Sequence, residues 1–163
     1  MKLNEIETLL YIQAGAPAPV ILANEYKLNL LYYYHKDTES DGSYDSLKQR
    51  NISVDKGIAI MGFKNFLIYK FGYPNAEVLQ SHPYYSLGLE PYKLFEVIES
   101  DWINKIEMMN KVHPFHNPIR YKMYKHFILT FEDSTFECIA HSTELVFIKS
   151  TMTTALHDLS AIL

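Results

Sequence analysis

The sequence predicts an α+β fold: one domain over residues 1–163, with a largely antiparallel sheet of about seven hairpin-connected strands and about three flanking helices. Three observations carry this. Strand-like alternation recurs between turn signals without a βαβ rhythm. The 163 residues suffice for a core that needs no disulfide or structural metal. Thirteen tyrosines enrich the chain in a residue that favours strands and wet interfaces. A β-sandwich or a barrel-like arrangement is the alternative way to pack the same strands.

In chain order, Leu3, Ile6, Leu9, Leu10 and Gln13 follow a helical stripe that Gly15 and Pro17 stop, so residues 3–14 read as an amphipathic helix. Val20-Ile21-Leu22-Ala23 and the alternating Leu28, Leu30, Tyr32 and Tyr34 form a first hairpin around Asn24-Glu25. Residues 36–49 are polar and turn-rich, a solvated loop whose acid spacing does not match a calcium loop. Residues 57–71 exceed one typical strand. A turn at Lys64-Asn65 would fold them back, setting Phe63 against Phe66 and Met61 against Ile68.

Residues 72–91 carry turn signals without regular periodicity, a length that calls for a job or a hidden short helix. Tyr92 to Glu99 alternates as a strand. Ser100 is an N-cap for a helix with Trp102, Ile103 and Ile106 inward, ending before His113-Pro114. Glu144 to Ile148 reads as a strand, and Thr151 to Leu163 as a terminal helix with Met152, Ala155, Leu156, Leu159 and Ile162 inward.

The strongest signal is residues 125–141. With Asp133-Ser134 as a two-residue turn, Phe127, Leu129, Phe131, Phe136, Cys138 and Ala140 share an apolar face. The opposite face then sets His126 against His141, Thr130 against Glu137 and Glu132 against Thr135.

A net charge of -4 disfavours a nucleic-acid coat or a polybasic membrane anchor. No apolar run reaches the length of a membrane span, and Glu5 and Glu7 do not suit a secretory leader. The single cysteine, on the apolar hairpin face, fits a reducing compartment, so the expected location is the cytoplasm.

Two constellations point to chemistry. His113, His116, His126 and His141 supply imidazoles of the kind that hold zinc, although their spacing matches no metal motif, so no cofactor is predicted and zinc stands as the alternative. His126 and His141 with Glu137 are candidate acid-base residues, since a carboxylate beside an imidazole orients it and raises its pKa. The competing reading is a polar strand face with cross-strand pairs.

Between Glu107 and Glu132 there is no acid, while Lys111, Arg120, Lys122 and Lys125 accumulate among aromatics. In an acidic chain this segment suits a small anionic ligand or an acidic protein partner, with Tyr84 and Tyr85 of the irregular stretch as aromatic contacts. Signatures of common nucleotide-binding, zincin, serine-hydrolase and thioredoxin-like proteins are absent.

Phe71-Gly72-Tyr73-Pro74-Asn75, Ser81-His82-Pro83, Ser100-Asp101-Trp102-Ile103, Asn110-Lys111-Val112-His113-Pro114 and Asp133-Ser134-Thr135-Phe136-Glu137-Cys138 resemble segments of a family of small soluble bacterial proteins without an established activity. Ala76 and Glu132 depart from that pattern. The resemblance implies a soluble bacterial protein and carries over no catalytic residue. The expected function is a noncatalytic binding or protein-interaction module, with a protein partner or a homo-oligomer in view. A metal-dependent or acid-base enzyme built on the histidines is the alternative, and the sequence does not decide whether the protein is an enzyme.

Overall fold

The computed structural model describes residues 1–8, 11–14, 17–35 and 57–162. The loop expected at residues 36–49 lies outside them. The strands are β1 (Lys2–Glu5), β2 (Tyr11–Ile12), β3 (Val20–Ala23), β4 (Leu28–His35), β5 (Gly57–Lys64), β6 (Ile68–Gly72), β7 (Leu94–Ile98), β8 (Lys125–Thr130), β9 (Thr135–Ala140) and β10 (Ser142–Ile148). The helices are α1 (Asp101–Asn110), α2 (Pro118–Tyr121) and α3 (Met152–Ser160). Two short 3₁₀ turns, Ala76–Ser81 and Tyr85–Leu87, occupy the stretch where periodicity fails.

All pairing is antiparallel, in two sheets that do not close into a barrel among the described residues. The first runs β1-β7-β8-β9-β6; the second runs β10-β5-β4, with β2 and β3 both on the outer edge of β4. The fold is therefore α+β, as expected, with its strands divided between two facing layers.

Strand alternation explains the packing. Leu94, Phe127, Leu129, Phe136, Cys138 and Ala140 of the first sheet meet Leu28, Leu30, Tyr32, Ala59, Met61 and Phe63 of the second in one apolar cluster. Aromatic rings interlock across it, Phe63 with Phe136 at 5.1 Å and Tyr32 with Phe131 at 5.5 Å. The outer face of the second sheet is covered by α3, which packs Met152, Ala155, Leu156 and Leu159 on Leu31 and Ile58, whereas Ile162 stays exposed. The outer face of the first sheet packs Phe95, Val97 and Ile128 against Leu79, Tyr84 and Leu89 of the 3₁₀ region.

Three expectations change. Among the described residues of 3–14 there is no helix: β1 pairs with β7, Leu3 opposite Val97, and Leu3 packs on the outer cluster. The ladder and this burial override a helical stripe too short to be stable alone. Residues 57–71 form a corner, because β5 pairs with β10 and β6 with β9 in the other sheet. Asn65, a residue that tolerates left-handed backbone, makes the bend at φ 50°. Finally, the hairpin turn is Glu132-Asp133. The Phe131 amide donates to the Ser134 carbonyl at 2.8 Å, and the ladder pairs His126 with Ile139, Ile128 with Glu137 and Thr130 with Thr135. The apolar face keeps its members, but His126 does not oppose His141.

Cys138 is fully buried on that face, and burial pushes its thiol up. An aromatic disulfide reagent is expected to leave the native protein unmodified and to react with this one thiol only after denaturation. Prompt labelling of folded protein would mean that the two sheets part readily.

Candidate functional site

The shifted register makes His126 and Glu137 diagonal neighbours on the outer face of the first sheet, with Nε2 2.9 Å from Oε2. Ser100, the N-cap of α1, sets its Oγ 2.9 Å from His126 Nδ1 and accepts from the backbone N–H of Trp102 at 3.2 Å and of Ile103 at 3.5 Å. With those lone pairs committed, the hydroxyl proton donates to Nδ1 and the ring's Nε2–H donates to Glu137. Lys70 Nζ at 3.5 Å and His82 Nε2 at 3.6 Å face the other carboxylate oxygen, both beyond ordinary hydrogen-bond length. His82 is aimed there because its Nδ1 accepts from the Tyr84 backbone N–H at 3.2 Å. The Tyr84 and Trp102 rings close over His126 at 5.7 and 5.2 Å, and Lys70 lies 3.8 Å from the centre of the Trp102 ring.

Burial would raise the Glu137 carboxyl, but the hydrogen bond from His126, with His82 close by and the charge of Lys70, outweighs it and holds the group well below the usual carboxylate range. Burial lowers His126, against the opposing pull of Glu137. Burial also raises the Tyr84 hydroxyl, as do the charges of Glu137 and Asp101.

The order serine, imidazole, carboxylate is the one acyl-transfer enzymes use to activate a hydroxyl. Here Ser100 is 3% and His126 0% exposed, and Ser100 Oγ already serves two backbone donors and one imidazole. The constellation instead ties together β6, β8, β9, the first 3₁₀ turn and the start of α1.

The four histidines considered for metal are dispersed. His113 and His116 lie in the turn between α1 and α2, His126 is in the buried node, and His141 packs on Tyr124 with ring centroids 4.3 Å apart. Among the described residues no group of three His, Cys, Asp or Glu is placed to hold a metal ion. His116 instead fastens the turn to α1, its Nε2 meeting Glu107 Oε1 at 2.7 Å and its Nδ1 meeting Asn110 Oδ1 at 3.2 Å.

The binding candidates separate likewise. Tyr84 is buried, whereas Tyr85 is exposed. Lys125 pairs with Glu96 at 3.0 Å and Lys111 stands 3.9 Å from Glu107, but no ion pair holds Arg120 or Lys122 among the described residues. Arg120 joins His141, Tyr124, Asn65, Phe66, Leu67, Glu25 and Tyr26 in lining an open groove of about 360 Å³ at the corner between the sheets. Beside it, α1, the turn and α2 present Met108, Met109, Val112, Phe115, Ile119 and Met123 to solvent, Val112 at 91% and Phe115 at 86% exposure.

Compared with known proteins, the chain matches no family model, no curated protein and no solved structure. Sequence reasoning missed Lys70 and His82 as partners of Glu137. His82 sits in an aperiodic stretch that gave no means to place it, whereas Lys70 follows from Glu137 once the β6–β9 ladder is known, since the two are directly opposed.

Proposed function

We propose that the protein is a noncatalytic interaction module whose docking face is the exposed ridge from Met108 to Met123, and that it works in the cytoplasm. The carrying observation is six large apolar side chains exposed within one helix–turn–helix segment, a concentration that monomeric surfaces rarely tolerate. Three of the six are methionines, whose flexible thioethers adapt to an opposing surface. The His116 clasp to Glu107 and Asn110 pre-shapes the turn that bears Val112 and Phe115, which lowers the entropic cost of docking.

Charge selects the occupant. Lys105, Lys111, Arg120 and Lys122 lie in or next to the same segment and no acid lies between Glu107 and Glu132, so the partner is a protein with apolar anchors rimmed by Asp and Glu. A second copy joined face to face about a two-fold axis would bring like charges together. The single buried thiol suits the reducing compartment assigned here.

Crosslinking in source cells through a photoreactive residue at position 112, then binding measurements with the purified captured protein, tests the reading. The V112D/F115D double variant is expected to weaken binding by roughly 100-fold or more with an unchanged circular dichroism spectrum, and added salt to weaken it further. Wild-type affinity in the double variant, or affinity indifferent to salt, would overturn the assignment.

A further inference from the structure

We infer that the groove at the corner of the two sheets is a binding site for a single carboxylate carried on an aromatic or apolar body. It adjoins the docking ridge and shares Arg120 with its basic rim, but the inference does not depend on that reading. Four chain segments converge there: the β3–β4 turn with Glu25 and Tyr26, the β5–β6 corner with Asn65, Phe66 and Leu67, the β9–β10 corner with His141, and Arg120 with Tyr124 around the end of α2. Its volume of about 360 Å³ lies in the range of small-ligand sites.

Two groups define the polar end. The Asn65 side-chain amide donates to His141 Nδ1 at 3.1 Å, which leaves Nε2–H as the donor of that ring. Nε2 is buried and has no hydrogen-bond partner, a condition that costs stability and marks a missing acceptor. Arg120 adds a guanidinium that no acid neutralises among the described residues, although Glu25 lines the same groove. An arginine fork and an imidazole N–H both donate, so their common complement is an anion with in-plane lone pairs.

The remaining walls are Tyr26, Phe66, Leu67 and Tyr124, which give an attached ring or aliphatic body apolar surface to cover. Glu25 sets the charge limit, because a dianion would meet its repulsion where a monocarboxylate gains from Arg120 with less penalty. Such a group has two sources, a free small organic acid or the C-terminal carboxylate of a protein chain ending in an apolar residue.

The test is calorimetric titration of the intact protein with benzoate, benzamide, N-acetylphenylalanine and inorganic phosphate, with the His141 ring followed by ¹⁵N NMR. Benzoate or N-acetylphenylalanine is expected to bind and to shift the Nε2 resonance, while neutral benzamide does not. R120Q and H141Q are each expected to weaken that binding by roughly 10- to 100-fold. Because Arg120 is exposed, R120Q reports on the site even if H141Q perturbs the corner. A preference for N-acetylphenylalanine assigns the chain end, and a preference for benzoate the small acid. Absence of binding up to about 10 mM, equal binding of benzamide or phosphate, or full affinity in R120Q would overturn the assignment.

Discussion

Replacing Glu137 by alanine is expected to lower the unfolding free energy by about 3 kcal/mol, the upper end of the range for leaving a buried donor without its charged acceptor. The loss exceeds that of one hydrogen bond because Glu137 faces His126, His82 and Lys70 together. Without it, His126 keeps Ser100 on one side but loses the acceptor for Nε2–H, and Lys70 retains only the Trp102 face. If the node acts as a unit, H126L/E137L is less destabilised than the sum of its single variants, since the double change leaves no orphaned partner within the pair. Urea titrations check both statements. A loss below about 1 kcal/mol in E137A would show that solvent replaces the node at little cost.

The same groups set the pH dependence. His126 has a lowered folded pKa, so below its ordinary value of about 6.5 the unfolded chain binds the proton before the folded protein does. Glu137 is depressed as well, and its contribution, complete above the ordinary carboxylate value of about 4.3, drains away as the pH falls further. Both slopes have one sign. Stability is expected to decline in two stages on acidification, and the more acidic stage is expected to shrink in E137A.

Phe136→Ala is expected to cost about 3–5 kcal/mol, by the cavity argument for a fully buried aromatic ring. Phe136 lies between the layers, against Phe63 at 5.1 Å and stacked with Tyr69 at 6.1 Å, so neighbours on two strands lose contact when it is removed. The sheet backbones hold those neighbours apart and limit collapse into the space. Phe136→Leu is expected to recover part of the loss. Denaturant midpoints should fall without a change in slope; a cost below about 1 kcal/mol would mean that the inner layer repacks freely.

Alternation made the inner face of the β8–β9 hairpin legible, because Phe127, Leu129, Phe136, Cys138 and Ala140 share a side whichever of two adjacent turns closes it. The site depended on the turn itself. Moving it from Asp133-Ser134 to Glu132-Asp133 replaces a His126–His141 pair with a His126–Glu137 diagonal, and nothing local separates the two turns. The outer face looked polar and solvent-facing because its cover, the 3₁₀ turns and Trp102, comes from segments whose position is a tertiary fact. Residues 57–71 misled for the same reason: a corner and a hairpin both need a turn near Asn65, and only the distant β9 and β10 decide between them. The exposed ridge was visible in part, as a run of bases without acids among aromatics, whereas whether Met108, Met109, Val112 and Ile119 are covered or exposed is a tertiary fact.

At the corners, β5 runs into β6 and β9 into β10, so two stretches of chain serve both layers. They are stitched where they bend, Leu67 N–H to the Ile139 carbonyl at 2.8 Å and His141 N–H to the Lys64 carbonyl at 3.0 Å. The two crossings sit side by side, so they form one covalent hinge, and away from it the layers are held together by the apolar cluster between them. A tug on one sheet is passed along the covalent backbone of that hinge to the other.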